Sequence, residues 1–223
     1  MTRKVRSTVA RHRYVRGVTG LRGKLWDALH YMQCRPLGED EQAADRILFT
    51  SRTEGLSRQE ARALILEHAG RRVAYHRLIL SPGESVEDMR RWTRLVLADL
   101  SRHLHQDLHW VAVVHRNTAH PHVHVLVAGR GERLSGEGRA AAVLLRPDEY
   151  EVLRESGDHH GRDLARAECS LDEAIRTELD REMTGLLRTL ADALADEGIQ
   201  THKHLLGQGE RRGPPGRDAT RGR

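Results

Sequence analysis

The run WVAVVHRNTAHPHVHVLVA, residues 110–128, constrains the fold more than any other stretch of this chain. Two apolar, β-branched segments, Trp110 to His115 and His122 to Ala128, flank a short polar connection from Arg116 to Pro121, the pattern of an antiparallel hairpin. Pro121 sits where the chain re-enters the strand, a position that tolerates a missing N–H. Alternation then fixes side-chain direction. Residues i and i+2 of a strand project to one face, so His122 and His124 point together while Val123, Val125 and Val127 point into an apolar layer. The first strand delivers His115 beside them. Three neutral imidazoles on a rigid hairpin, with coordination positions left open, suit a catalytic rather than a structural metal site. His103, His105, His109 and His120 share no face with the pair and are read as surface residues.

The 223 residues are enough for one large domain with a real core, but aromatics are only 4% of them, so that core must be Leu, Val, Ile and Ala. Two cysteines, Cys34 and Cys169, are too few and too far apart for a disulfide framework or a zinc finger, which favours a reducing, cytoplasmic setting. No stretch approaches the roughly 18 consecutive apolar residues of a membrane span, and the N-terminus has no apolar signal core, so no membrane insertion is expected. Net charge is +5 and unevenly spread. Arg3, Lys4, Arg6, Arg11, Arg13, Arg16, Arg22 and Lys24 precede the first acid, and Lys203, Arg211, Arg212, Arg217, Arg221 and Arg223 crowd the end. The body between is net acidic. Basic ends on such a body suggest a polyanion partner, and nucleic acid is the commonest one.

Along the chain, residues 1–20 read as a flexible basic arm, residues 21–201 as the folded domain and residues 202–223 as a disordered basic tail. In RGKLWDALHYMQCR, Leu25, Ala28, Leu29 and Met32 recur at helical spacing with Tyr31 beside the stripe. ILFTS is a short strand candidate. Ser57 and Glu60 form a capping box for a helix that Gly70 closes, and VAYHRLIL (73–80) is a strand ended by Ser81 and Pro82. Ser85 and Asp88 open an amphipathic helix through Met89, Trp92, Val96 and Leu100. Gly129 to Gly138 reads as a turn and AAVLL as a strand. Pro147 and Gly157 frame one helix, and Ser170 opens another on Ile175, Leu179, Met183, Leu187, Leu190 and Leu194. The expected architecture is α+β: a central antiparallel sheet with helices packed mainly on one face, and the hairpin near its centre.

A metal beside a basic surface points to phosphodiester chemistry, with either metal-bound water or a side chain as nucleophile. Tyr75 lies among buried neighbours and Tyr150 follows an acidic helix start, which leaves Tyr14 and Tyr31. A free phenol is only about one part in a thousand ionised at neutral pH, so a nearby metal or cation is needed to activate it.

In their order, LHYMQCRPLGEDE, YHRLILSPGE and LHWVAVVHRNTAHPHVHVLVAG resemble the MobP-type relaxases, mobilisation proteins of the HUH endonuclease superfamily, over about Lys24 to Gly161. The resemblance implies a palm-like sheet and site- and strand-specific nicking of transfer-origin DNA through a 5′-phosphotyrosine. It places the metal ligands at His115, His122 and His124, the catalytic tyrosine at Tyr31 and a DNA-positioning serine at Ser81. Arg22, Lys24 and Arg116 are the expected backbone contacts. The implied cofactor is a divalent ion, magnesium or manganese, with zinc and nickel as alternatives. The implied partners are single-stranded or extruded origin DNA, accessory mobilisation proteins and a coupling protein. Family members often carry an acid two residues after the first histidine, where this chain has Asn117. Ending at Arg223, the chain reads as a minimal relaxase or an N-terminal fragment. The alternatives are a rolling-circle initiator or transposase of the same superfamily, and a non-catalytic accessory DNA-binding protein that keeps the histidines as structure.

Overall fold

Trp110–His115 and His122–Ala128 pair as antiparallel strands, with His115 opposite His122 and Val113 opposite His124. In the computed structural model, the described residues are 7–17, 20–34, 46–116, 120–135 and 140–209, with 191–209 as backbone alone. The polar stretch 36–45, Asn117, Arg3, Lys4, Arg6 and residues 210–223 lie outside them. Element order is β1 (Val9–Arg16), α1 (Leu21–Cys34), β2 (Leu48–Phe49), β3 (Glu54–Leu56), α2 (Arg58–Glu67), β4 (Val73–Ser81), α3 (Met89–Leu104), β5 (Gln106–Asp107), β6 (Trp110–His115), β7 (His122–Ala128), β8 (Arg130–Arg133), β9 (Ala140–Ala142) and α4 (Pro147–Gly209). The main sheet runs β1-β4-β7-β6-β2-β3 with antiparallel pairing throughout, so the hairpin is central, as expected, and a small sheet runs β5-β8-β9. The chain divides into two units, Met1–Glu168 and Cys169–Arg223.

Within the first unit, helices cover both faces of the main sheet, not mainly one. On one face Leu78, Leu80, Ala112, Val114, Val123, Val125 and Val127 pack with Met89, Trp92, Val96, Leu97 and Leu100 of α3 and with Leu153 and Leu164 of α4. On the other, Val111, Val113, Leu126, Ala128 and Tyr75 pack with Leu25, Ala28, Leu29 and Met32 of α1 and with Ala61 and Ile65 of α2. The physical cause is in the central strands, which carry apolar residues at both parities; every residue of β6 is buried. A strand with only one apolar face would have left the other to water. Burying each such Val or Leu is worth roughly 1.5–3 kcal/mol, so both layers are needed to hold β6 and β7 in place.

Local signals fall largely where they were expected. The α1 stripe of Leu25, Ala28, Leu29 and Met32 is buried, the Ser57–Glu60 capping box is complete, and Asp88 caps α3 by accepting from Arg91 N at 2.9 Å. Other readings change. Residues 9–16 are an edge strand paired to β4 over its whole length, so the basic arm does not extend to residue 20. Helix α2 closes at His68 and not at Gly70. The expected turn from Gly129 contains β8, which pairs with β5 and β9, and Gly129 itself passes so close to Val73 that a Cβ there would lie 1.8 Å from its carbonyl oxygen. Helix α4 neither stops at Gly157 nor restarts at Ser170, and it enters the stretch expected to be a disordered tail, ending at Gly209.

In the second unit, Ile175, Leu179, Met183, Leu187 and Leu190 are exposed along α4, and Leu194 lies beyond the described side chains. Among the described residues no helix is long and apolar enough to cross a membrane.

Candidate functional site

His115 is fully buried, His124 is 6% exposed, and His122 is half-buried at the mouth. Their rings converge on the α1 face of the sheet. Centroids lie 4.5 Å apart for His115 and His124, 5.1 Å for His122 and His124, and 5.3 Å for His115 and His122. One nitrogen from each lies within 4.8 Å of the others, an arrangement able to hold a metal ion. Ring orientation follows from backbone carbonyls. His115 Nε2 is 2.7 Å from the Met32 carbonyl oxygen, and a carbonyl can only accept, so Nε2 carries the proton and Nδ1 keeps its lone pair. His122 Nδ1 likewise donates to the His120 carbonyl at 3.2 Å, leaving Nε2 as the ligand atom. Such partners fix the tautomer and raise ligand basicity. The orienting group expected of an acid near the first histidine is supplied to His115 by the last turn of α1.

That same turn carries Tyr31. Its neighbour Met32 is inside the core while Tyr31 is 47% exposed, and its ring stands edge-on to His124 with centroids 6.1 Å apart. Helical spacing explains both facts, since a residue beside the buried stripe faces its rim. Tyr14, the other phenol left open by the sequence, is opposite His76 in the register, on the face away from the three histidines. Tyr75 is buried, which raises its pKa, with Arg77 opposing and Asp27 adding to the shift. Tyr150 contacts His12 on the far face.

A groove of about 680 Å³ leads from Tyr31 and His124 across β7, β4 and β1, and its lining includes Arg11, Arg13, Arg77, Lys24 and Asp27. Pairing explains the alignment of its cations. Arg13 is opposite Arg77, Arg11 is opposite Ile79, and Ile79 is opposite His124, so side chains at these positions share the histidine face. Four cations against one acid give a basic floor.

Of the expected DNA contacts, Lys24 lines this groove. Arg22 is exposed on α1 but is not among the groove's lining residues. Ser81 donates to the Pro121 carbonyl at 2.8 Å and so clamps the entry of β7. Arg116 donates to the Glu87 carbonyl. Arg11 and Arg13, which the sequence places in the basic arm, and Arg77, to which no motif assigns a role, belong to this groove as well. The signal for Arg11 and Arg13 was their i, i+2 spacing.

The opposite face holds a second polar group. His12 Nε2 and His76 Nδ1 are 2.8 Å apart, His76 Nε2 is 3.0 Å from the Val143 carbonyl, and the Tyr150 hydroxyl meets His12 Nδ1. Burial pushes His76 down to about 4 and also lowers His12. No protein-family model matches the chain, and no curated protein matches it.

Proposed function

We propose that this chain is a metal-dependent DNA relaxase that nicks one strand of transfer-origin DNA by tyrosine transesterification. The observation that carries the proposal is the meeting of three imidazoles with the exposed Tyr31 phenol at the end of a basic groove. In this reading, Arg11, Arg13, Arg77 and Lys24 hold successive phosphates of a single strand by salt-sensitive contacts. Tyr31 Oη attacks the scissile phosphorus, forming an O–P bond and losing its proton to the solvent that reaches this half-exposed ring. The bond to the 3′-oxygen breaks, and that oxygen takes up a proton, leaving a free 3′-hydroxyl and a 5′-phosphotyrosine. The ester keeps the energy of the broken bond for rejoining, which attack by water would discard.

His115, His122 and His124 are the residues that would hold the ion. When bound, the ion would act as a Lewis acid toward the phosphate, worth several kcal/mol of barrier. Magnesium or manganese fits phosphate chemistry, and zinc or nickel fits the imidazole donors. A rolling-circle initiator or transposase would use the same chemistry at a different origin.

The test is a pool of single-stranded oligonucleotides tiled across the DNA flanking the gene, incubated with the chain and Mn²⁺ and resolved on a denaturing gel. A covalent adduct is expected from the native chain and from neither Tyr31→Phe nor the His122→Ala/His124→Ala variant. Nicking without an adduct, or an adduct that survives Tyr31→Phe, removes Tyr31 from the chemistry. No nicking, with DNA binding intact, favours the accessory-protein reading.

A further inference from the structure

We propose a second divalent-cation site, formed by His68, His109 and Glu132, that joins the C-terminus of α2, the entry of β6 and strand β8. His68 is the C-cap of α2, His109 immediately precedes β6, and Glu132 belongs to the small sheet. One donor atom from each lies within 4.8 Å of the others. The two imidazole rings stack with centroids 3.4 Å apart and 13° between planes. His109 Nε2 is buried and makes no hydrogen bond among the described residues, while a carboxylate oxygen of Glu132 is 3.8 Å away. That gap is too long for a hydrogen bond, which ends near 3.2 Å. A buried ring nitrogen that faces a carboxylate across such a gap has room for an ion between them.

The backbone holds the two histidines in place. The His68 carbonyl accepts from Arg130 N at 2.9 Å and the His109 carbonyl accepts from Ala128 N at 2.8 Å. The stacked ring planes are only 13° apart, so a shared ion requires one imidazole to turn out of the stack until its lone pair meets the ion, with the donors about 3.3 Å apart as bonds of about 2.0–2.1 Å impose on a tetrahedral ion. Electrostatics agree with the geometry. Asp107, Glu132 and Glu67 all act electrostatically on His109. Those acids also compensate a dication. Two imidazoles and one carboxylate are the donor set of zinc or a neighbouring transition metal, and not of magnesium. His109 and His115 bracket β6, a span of six residues and roughly 20 Å at 3.3 Å per residue, so the two ions would be independent.

From its spacing alone His109 reads as a surface residue. Instead it is half-buried, and its partners come from distant parts of the chain, so no local spacing announces them.

The test uses Zn²⁺ alone and reads binding and stability, so it does not depend on nicking. The chain carrying His122→Ala/His124→Ala is dialysed against Zn²⁺ and its metal content and thermal midpoint are measured. One equivalent is expected to remain bound and to raise the midpoint. Adding Glu132→Gln or His68→Ala is expected to weaken that binding at least tenfold. Glu132 is exposed, so its replacement tests ligation without disturbing packing. The site is overturned if the background variant retains no Zn²⁺, or if retained Zn²⁺ is indifferent to Glu132→Gln.

Discussion

Because a carbonyl oxygen only accepts, the 2.7 Å contact from His115 Nε2 to Met32 decides which nitrogen of that ring is left for a ligand, and it does so from the residue beside Tyr31. Moving α1 therefore moves the phenol and the orienting group together. His115→Ala removes a fully buried ring and leaves a carbonyl to be satisfied, so urea unfolding without metal should show a loss of about 2–4 kcal/mol. Tyr31→Phe removes a half-exposed hydroxyl and should stay within about 0.5 kcal/mol of the parent while abolishing the adduct. Equal losses in the two variants would contradict the separation of fold from chemistry at this turn. His76 makes a second residue-scale prediction. Its folded-state pKa, about 4, lies below the ordinary 6.5, so the folded chain prefers it neutral. The corresponding stability is present above about pH 6.5 and drains away as pH falls towards 4, on the order of 3 kcal/mol in all. The urea midpoint should fall across that window, and fall less in His76→Gln.

At the scale of elements, β1 converts an arm-like sequence into part of a site. VARHRYVR alternates cations with histidine and tyrosine and offers no apolar face, so its period of two is masked by its polarity. The i, i+2 spacing puts Arg11 and Arg13 on one face, and the pairing with β4 brings that face into a single groove with Arg77. If these cations track a strand, Arg11→Ala/Arg13→Ala/Arg77→Ala should lower the slope of log affinity against log salt by roughly 2, at about 0.7 per phosphate contact on single-stranded DNA. Fluorescence anisotropy with a labelled oligonucleotide measures it, and an unchanged slope would move the DNA path elsewhere. Other elements were legible from their own residues. The hairpin declared itself because its histidines alternate with valines, and α1 because Leu25, Ala28, Leu29 and Met32 keep a helical period. The coverage of both sheet faces was also written in WVAVV, where odd and even positions are equally apolar. The common face of Val123, Val125 and Val127 accounts for only one of the two layers.

Across the first unit as a whole, the long-range pairings decide what local signals cannot. The hairpin occupies the middle of the sheet, so β4 and β6 on either side brace the histidines, and helices seal both faces away from the mouth. Gly157 shows how a local rule yields to such packing. As the residue after a helical stretch it reads as a C-cap, yet it lies inside α4, where its carbonyl accepts from Trp92 Nε1 at 3.0 Å. Thr8 lies against its Cα, and an added Cβ would be 2.5 Å from the Thr8 methyl carbon. Thr8 has little freedom to retreat, being 2% exposed and tied through its N–H to Asp158 at 2.6 Å. In an open helix Gly→Ala gains about 0.5–1 kcal/mol. Here the clash should exceed that gain, because overpacking a closed contact costs typically 1–3 kcal/mol. Gly157→Ala should therefore destabilise the fold in urea despite its better helical propensity, and Thr8→Ser in the same chain, by removing the obstructing methyl, should return part of the loss. A stabilised Gly157→Ala would mean that the approach of Thr8 to α4 is loose, and that the strand following it is held by its pairing with β4 alone.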